Sequence, residues 1–121
     1  MSEAKVKISV RVVTNGISIL DIEGEVNAFA ENALMDAYTQ ASNVRARVIL
    51  LNFSRLEYMN SSGIGLLVTL LIRAQRQQQR LVAFGLGEHY GQIFELTRLN
   101  EAITLYPTET EALAALDSMP T

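Results

Sequence analysis

Met59-Asn60-Ser61-Ser62-Gly63-Ile64-Gly65 joins a run that reads as a strand to a run that reads as a helix. Ahead of it, Val48-Ile49-Leu50-Leu51-Asn52-Phe53 is short, apolar and β-prone, the pattern of a buried strand. Behind it, Ile64, Leu67, Val68 and Leu71 recur at i, i+3, i+4 and i+7, the spacing of one helix face. Two serines therefore stand where a strand hands over to a helix. A helix N-terminus carries unpaired N–H groups and the positive end of the macrodipole, so it accepts a hydroxyl cap or an anion. Gly63 and Gly65 bring no side chain, which lets a large body approach the backbone. The turn is the candidate functional site, and the anion it suggests is a phosphate carried by serine.

Working outward toward the N-terminus, Val6, Ile8, Val10 and Val12 alternate with Lys5, Lys7, Ser9 and Arg11, the period of a half-buried strand. Asn15-Gly16 signals a hairpin, and a second alternating run from Ile17 to about Glu23 completes an antiparallel pair that Gly24 is expected to break. Ala28 to about Ser42 reads as a helix with Phe29, Ala33, Leu34, Ala37 and Tyr38 along one side and Asn27 as its N-cap. The central strand is expected over 47–53 and the next helix from Ser62 to about Gln79. Toward the C-terminus, Leu81 to Phe84 is a short strand, Glu88 to Leu99 a helix with Ile93, Leu96 and Leu99 apolar, and Ile103 to Tyr106 a last strand stopped by Pro107. Thr108 with Glu111 three places on forms a capping-box pattern, followed by Leu113 and Leu116. The order β-β-α-β-α-β-α-β-α, with about four helices, predicts an α/β fold with a mixed sheet: an antiparallel N-terminal hairpin followed by parallel strands.

A length of 121 residues fits one domain, expected to span 1–121. Apolar residues at 49% and charged residues at 19% describe a folded chain rather than a disordered one. A net charge of -3, with Lys and Arg spread along the chain, gives no footprint for nucleic acid. Without cysteine there is no disulfide and no thiolate metal site. The start, Met1-Ser2-Glu3-Ala4-Lys5, is not a signal peptide, and the longest apolar run, Gly63 to Ile72, is about half a bilayer span. A cytoplasmic protein with no membrane insertion is the expectation.

Catalytic readings find little support. His89 is the one histidine, no serine lies in a Gly-x-Ser-x-Gly elbow, and a histidine in the first turn of a helix is ordinarily a surface residue. Gly85-Leu86-Gly87-Glu88-His89-Tyr90-Gly91 follows a strand and opens a helix, but its third glycine is one place late for a dinucleotide fingerprint, and a tight turn explains it. No catalytic residue, metal site or cofactor is expected, and nucleotide binding is kept as a lesser alternative.

The helix after the serines carries a further signal. At about 100° per residue, Ile64, Leu67, Val68 and Leu71 share the expected core face, while Leu66, Leu70 and Arg73 point away from it. Either a neighbouring helix covers these leucines or they form an exposed apolar strip beside the serine turn, suited to a partner.

Leu51-Asn52-Phe53-Ser54 and Tyr58-Met59-Asn60-Ser61-Ser62-Gly63-Ile64-Gly65 resemble the signature of the STAS domain family, the anti-sigma factor antagonists. Members typically read Leu-Asp-Phe/Leu-Ser, then Asp-Ser-Ser/Thr-Gly-Leu/Ile-Gly, and Gly24-Glu25-Val26-Asn27 is similar to the family's Gly-Glu-Leu-Asp. The resemblance implies a regulatory domain, not an enzyme, that binds an anti-sigma factor with serine kinase activity. That kinase phosphorylates the serine before the glycine, here Ser62, with Ser61 as the alternative acceptor; the phosphorylated form lets go and a serine phosphatase resets it. The expected partner-binding residues are Asn27, Asn60, Ser61, Gly63, Ile64, Gly65, Leu66, Leu70 and Arg73, on a monomer or weak dimer. Three aspartates of the family pattern are amides here, Asn27, Asn52 and Asn60. A carboxylate ~4 Å from a unit negative charge costs about 4 kcal/mol near a protein surface. Asn60 therefore eases accommodation of phosphoserine and weakens it as an electrostatic eject signal. The alternative is a constitutive scaffold, either stressosome-like or an accessory subunit of lipid transport, that does not respond to phosphate.

Overall fold

The alternation at the start of the chain makes β1 (Val6–Val12), whose Val6, Ile8 and Val10 lean on the core while Lys7, Ser9 and Arg11 stay exposed. The computed structural model describes residues 5–13, 16–43 and 45–117. β1 pairs antiparallel with β2 (Ile17–Val26), from Val6 opposite Gly24 to Val12 opposite Ser18. The expected hairpin turn at Thr14 and Asn15, like the start of the chain at 1–4, lies outside the described residues. A single 3-10 turn (Ala28–Ala30) leads into α1 (Glu31–Ser42). Then follow β3 (Val48–Met59), α2 (Ser61–Arg76), β4 (Arg80–Phe84), α3 (Glu88–Leu96), α4 (Leu99–Ala102), β5 (Thr104–Tyr106) and α5 (Glu109–Asp117).

The five strands lie in chain order, β1-β2-β3-β4-β5, with β2, β3, β4 and β5 mutually parallel. This is the mixed α/β sheet that the order of elements predicts. β2 and β3 are apolar on both faces because both faces are covered. On one side Leu20, Ile22, Ile49, Leu51, Phe53 and Ala83 meet α1, α2 and Phe94 of α3. On the other, Ile17, Ile19, Val48, Leu50, Val82 and Phe84 meet Ala112 and Leu116 of α5. Thr108 Oγ1 accepts the Glu111 N–H at 3.2 Å and so caps α5, as the box pattern predicts.

Several boundaries differ from the sequence reading. α1 begins at Glu31 behind a separate 3-10 turn that Asn27 caps, and α2 ends at Arg76 rather than about Gln79. Five α-helices stand among the described residues where about four were expected. Gly24 does not end β2, which runs on to Val26 with register shifts against β3 on either side of it. β3 does not stop at Phe53 but continues to Met59, its polar residues Ser54, Arg55 and Glu57 exposed beyond the helix-covered part of the sheet. The helix expected over Glu88–Leu99 is two: Arg98 adopts a left-handed conformation (φ 61°), ending α3 and starting α4. In consequence Phe94 supplies the buried contact of α3, Leu99 that of α4, and Leu96 stands 85% exposed.

Candidate functional site

The parallel pairing of β2 and β3 ends with Val26 opposite Met59, and both chains turn just beyond that row. Asn60 N–H donates to the Val26 carbonyl at 3.3 Å, tying the second turn to the first. A Cβ added to Gly63 would lie 2.3 Å from the Val26 carbonyl oxygen and 2.7 Å from Met59 Cγ. Only glycine lets the first turn of α2 sit this tightly against the end of β2. Tyr90, from the first turn of α3, supplies a third anchor that the sequence reading missed: its Oη accepts the Met59 N–H at 2.9 Å.

Asn60, not a serine, caps α2. Its extended backbone (φ -98°, ψ -175°) aims Oδ1 at the Gly63 N–H, 3.0 Å away, and its carbonyl accepts the Ile64 N–H at 3.0 Å. Ser61 and Ser62 occupy the first two helical positions, where N–H groups have no partner within the helix. Both serine residues are exposed. Asn27 plays the corresponding part on the neighbouring turn, accepting the Phe29 N–H at 2.9 Å.

The flank of α2 corrects the sequence reading. Leu70 is fully buried and Leu66 half-buried in the core, so neither lies on an exposed strip. Arg73, on the same side of the helix, is exposed but lays its guanidinium 5.1 Å above the ring of Tyr38 in α1. A neighbouring helix covers this side, the first of the two possibilities posed above. The deeply buried residues are Gly63, Leu67, Leu70 and Ala74, while Ile64 and Leu71 pack at the core's border. Val68, expected inside, is 38% exposed and shares its face with Ile72 at 44%. Ser61, Gly65, Val68 and Ile72 are spaced i, i+4, i+7 and i+11, one stripe of the helix, and a Cβ built on Gly65 meets nothing within 4 Å. An open stripe does run from the serine turn along α2, keeping the expected Ser61 and Gly65 but continuing through Val68 and Ile72 in place of Leu66 and Leu70.

Asn52 lies away from this turn, on the opposite sheet face. There a polar trough of about 430 Å³ is lined by Lys7, Ser9, Arg11, Asp21, Asn52 and Ser54, among others. Arg11 forks between Asp21 (2.6 and 2.8 Å) and Glu109 of α5 (2.7 and 3.2 Å). The hydrogen bond from Arg11 holds the Asp21 carboxyl below the usual carboxylate range, against partial burial and with help from Asn52. Gly85, in the loop weighed for nucleotide binding, backs onto Ser54: its Cβ would stand 2.9 Å from that residue's backbone nitrogen. His89 is exposed and lies edge-on to Tyr90. Among the described residues no three His, Cys, Asp or Glu side chains gather as metal ligands, and no helix is long and apolar enough to cross a membrane.

A mixed sheet with antiparallel β1-β2, parallel strands beyond, and an exposed serine pair opening the helix after the central strand defines a class of small α/β domains. The chain belongs to the STAS domain family, whose description matches residues 9–112. It is 26% identical over 106 residues to the anti-sigma-B factor antagonist of Listeria monocytogenes, spanning 86% of this chain and 93% of that one. Its fold is similar to an anti-sigma factor antagonist from Mycobacterium paratuberculosis (TM-score 0.80, 21% identity, 97% of this chain and 100% of that one). It is also similar to the Bacillus cell fate determinant SpoIIAA in its phosphorylated form (TM-score 0.71, 22% identity, 91% and 99%).

Proposed function

We propose that this protein is an anti-sigma factor antagonist: a non-catalytic cytoplasmic switch that binds an anti-sigma factor with serine kinase activity and is released when that kinase phosphorylates Ser62. The observation that carries the reading is the division of labour at the turn. Asn60 does the capping, so the hydroxyls of Ser61 and Ser62 are not needed to hold the helix and are exposed. A phosphate there adds about -1.5 to -2 charges. The helix terminus tolerates it, with a gain of about 0.3–1 kcal/mol, whereas a partner packed against Asn27, Asn60 and Gly65 must desolvate it; Gly63, expected at the docking surface, is instead buried against Val26 and Met59. The partner leans on the stripe through Gly65, Val68 and Ile72, with Ile64 at its border, while Arg73 is turned toward Tyr38 of α1. The names of the relatives support this role, and a phosphorylated form of SpoIIAA supports the chemistry.

The test compares Ser62→Asp with Ser62→Ala in binding to the kinase-type anti-sigma factor. The charged variant should bind at least about tenfold more weakly; equal binding removes the switch. Intact-mass analysis after incubation with ATP and the kinase should show one added HPO3, lost in Ser62→Ala and kept in Ser61→Ala. The reverse pattern assigns the acceptor to Ser61.

Asn27 and Asn60 support a second reading. Both cap turns through Oδ1 alone, a task that needs no charge, so the site also suits a constitutive scaffold that ignores phosphate. An unchanged mass together with undiminished partner binding would favour it.

A further inference from the structure

The strand order places β1 at one edge of the sheet and the three-residue β5 at the other. The bonds from Val13 N–H to the Ile17 carbonyl and from Glu25 N–H to the Lys5 carbonyl bracket the β1–β2 ladder and set its parity. Lys7, Ser9 and Arg11 therefore exchange bonds with β2, while Val6, Ile8, Val10 and Val12 turn their N–H and C=O groups outward. Among the described residues no other strand takes up these groups. Seven residues long, without proline and in unbroken register with β2, β1 has little of what ordinarily blunts a sheet edge beyond its two cations. Val12, at its end, is 62% exposed.

The polar trough beside this edge divides into two charged ends. Lys7, Glu23 and Arg55 share one row, two cations and one carboxylate, an excess of one positive charge. At the other end Arg11 bonds both Asp21 and Glu109, one cation and two carboxylates, an excess of one negative charge. Lys5 and Glu25, paired beyond Lys7, cancel. Ser9 lies between the two ends. A two-fold axis at Ser9, laying one β1 antiparallel beside another, sets each end against the opposite end of the other copy. In that register Val6 faces the second copy's Val12, Ile8 its Val10 and Lys7 its Arg11, and the outward N–H and C=O groups pair across the axis. The approach of Lys7 to the Arg11 cluster is attractive, because its two carboxylates outweigh that arginine. We propose that a second copy of this chain docks along β1 about Ser9, joining two five-stranded sheets into one. A single strand pair makes a small interface, so the dimer is reversible. The axis crosses the sheet, so the two serine turns come to lie at opposite ends of the joined sheet. The proposal does not depend on what the serine turn binds.

Sedimentation across a concentration series tests this, with thermal melts as a control for folding. The wild-type chain should pass reversibly from monomer to dimer. Val12→Pro, which removes an outward N–H and spares the β1–β2 ladder, should weaken the dimer at least about tenfold. Lys7→Glu and Glu109→Lys should each weaken it comparably, and the two changes in one chain should restore it, because the two ends then exchange sign. Cross-linking reads the register, in a chain with no cysteine of its own. Ser9→Cys should form a disulfide-linked dimer on oxidation, since a residue on the axis meets itself in a non-hydrogen-bonded pair about 4.5 Å apart. Lys7→Cys, which faces Arg11 instead, should link far less. A chain that stays monomeric at every concentration overturns the proposal, as does a dimer indifferent to these variants or a Ser9→Cys chain that does not link. Should Val12→Pro weaken the anti-sigma factor complex while the wild-type chain stays monomeric, the edge belongs to that partner and not to a second copy.

Discussion

Asn52 donates from Nδ2 to Asp21 Oδ1 at 2.7 Å, while its own Oδ1 accepts the N–H and hydroxyl of Ser54 at 2.9 and 2.6 Å. The amide is used at both ends, as donor across the strand pair and as acceptor along its own strand. A carboxylate could do only the second. The aspartate of the family pattern at this position would stand against Asp21, which already takes Arg11 in a two-pronged ion pair. Asn52 is therefore matched to Asp21: the amide lets Asp21 keep the charge that ties β1 and, through Arg11, Glu109 of α5 to the sheet.

Restoring the family residue should expose this dependence. In Asn52→Asp two carboxylates share the space of one hydrogen bond, a repulsion of about 4 kcal/mol at 4 Å before the nearby arginines offset part of it. The pair relieves it by taking a proton, so its upper pKa rises in the folded state. Thermal melts should show the variant well below wild type at pH 7. The gap should close as the pH falls through that raised value toward the unfolded one, near 3.9. A gap independent of pH would refute the account.

Asp21 itself predicts the opposite pH behaviour. Its pKa is lowered in the folded state, first by the Arg11 hydrogen bond. Its contribution is therefore present above the unfolded value and disappears as the pH falls through the folded one. Asp21→Asn should be somewhat less stable at pH 7, by no more than about 1 kcal/mol for a pair this accessible to solvent. It should also lose less stability than wild type between about pH 5 and pH 2. Urea unfolding across that range measures both.

Periodicity made the strands and their order legible, because a residue's face in a strand depends only on parity. The rotation of α2 was not legible in the same way. Its buried stripe is Gly63, Leu67, Leu70 and Ala74, and two of these four are too small to register when apolar side chains are counted. Ile64, Val68 and Leu71 therefore outweighed them in the sequence pattern. The cap was equally hidden: Asn60, Ser61 and Ser62 are all good N-cap residues, and only the fixed end of β3 decides among them. Tyr90 gave no signal because its bond to Met59 spans two elements that the sequence separates by 31 residues.

The corrected rotation of α2 predicts a separation of stability from binding. Leu70→Ala opens a cavity in the core and should cost about 2–5 kcal/mol. Val68→Ser and Ile72→Ser, on the open stripe, should each stay within about 0.5 kcal/mol of wild type in urea unfolding. Only the latter two should weaken the anti-sigma factor complex without lowering stability. If Leu70→Ala melts like wild type while Val68→Ser unfolds the chain, the assigned rotation is wrong.

Tyr90 acts on the turn as a positioning residue. Tyr90→Phe removes the acceptor of the Met59 N–H and leaves that half-buried donor unpaired, at a cost of about 1–3 kcal/mol. Amide exchange separates a local from a general effect. The Met59 amide should exchange faster in the variant by more than the change in global stability accounts for, while amides in β1 change only by the global amount. Uniform acceleration across the sheet would mean that the hydroxyl merely adds to overall stability.

The two glycines of the first turns of α2 should respond in opposite ways to the same methyl group. At Gly63 the added carbon meets the Val26 carbonyl at 2.3 Å and Met59 Cγ at 2.7 Å. The methionine can swing aside but the backbone oxygen cannot, so Gly63→Ala must push α2 away from β2, at about 1–3 kcal/mol or more. That shift lengthens the bond from Asn60 N–H to Val26 and loosens the serine turn, so partner affinity should fall with stability. At Gly65 the methyl meets nothing within 4 Å, and the gain in helix propensity is up to about 1 kcal/mol. Gly65→Ala should therefore melt higher than wild type, yet it thickens the stripe proposed for docking and should bind less tightly. A stabilised variant that binds more weakly separates docking from folding. If Gly65→Ala gained stability and bound as well as wild type, the partner would not approach along this stripe.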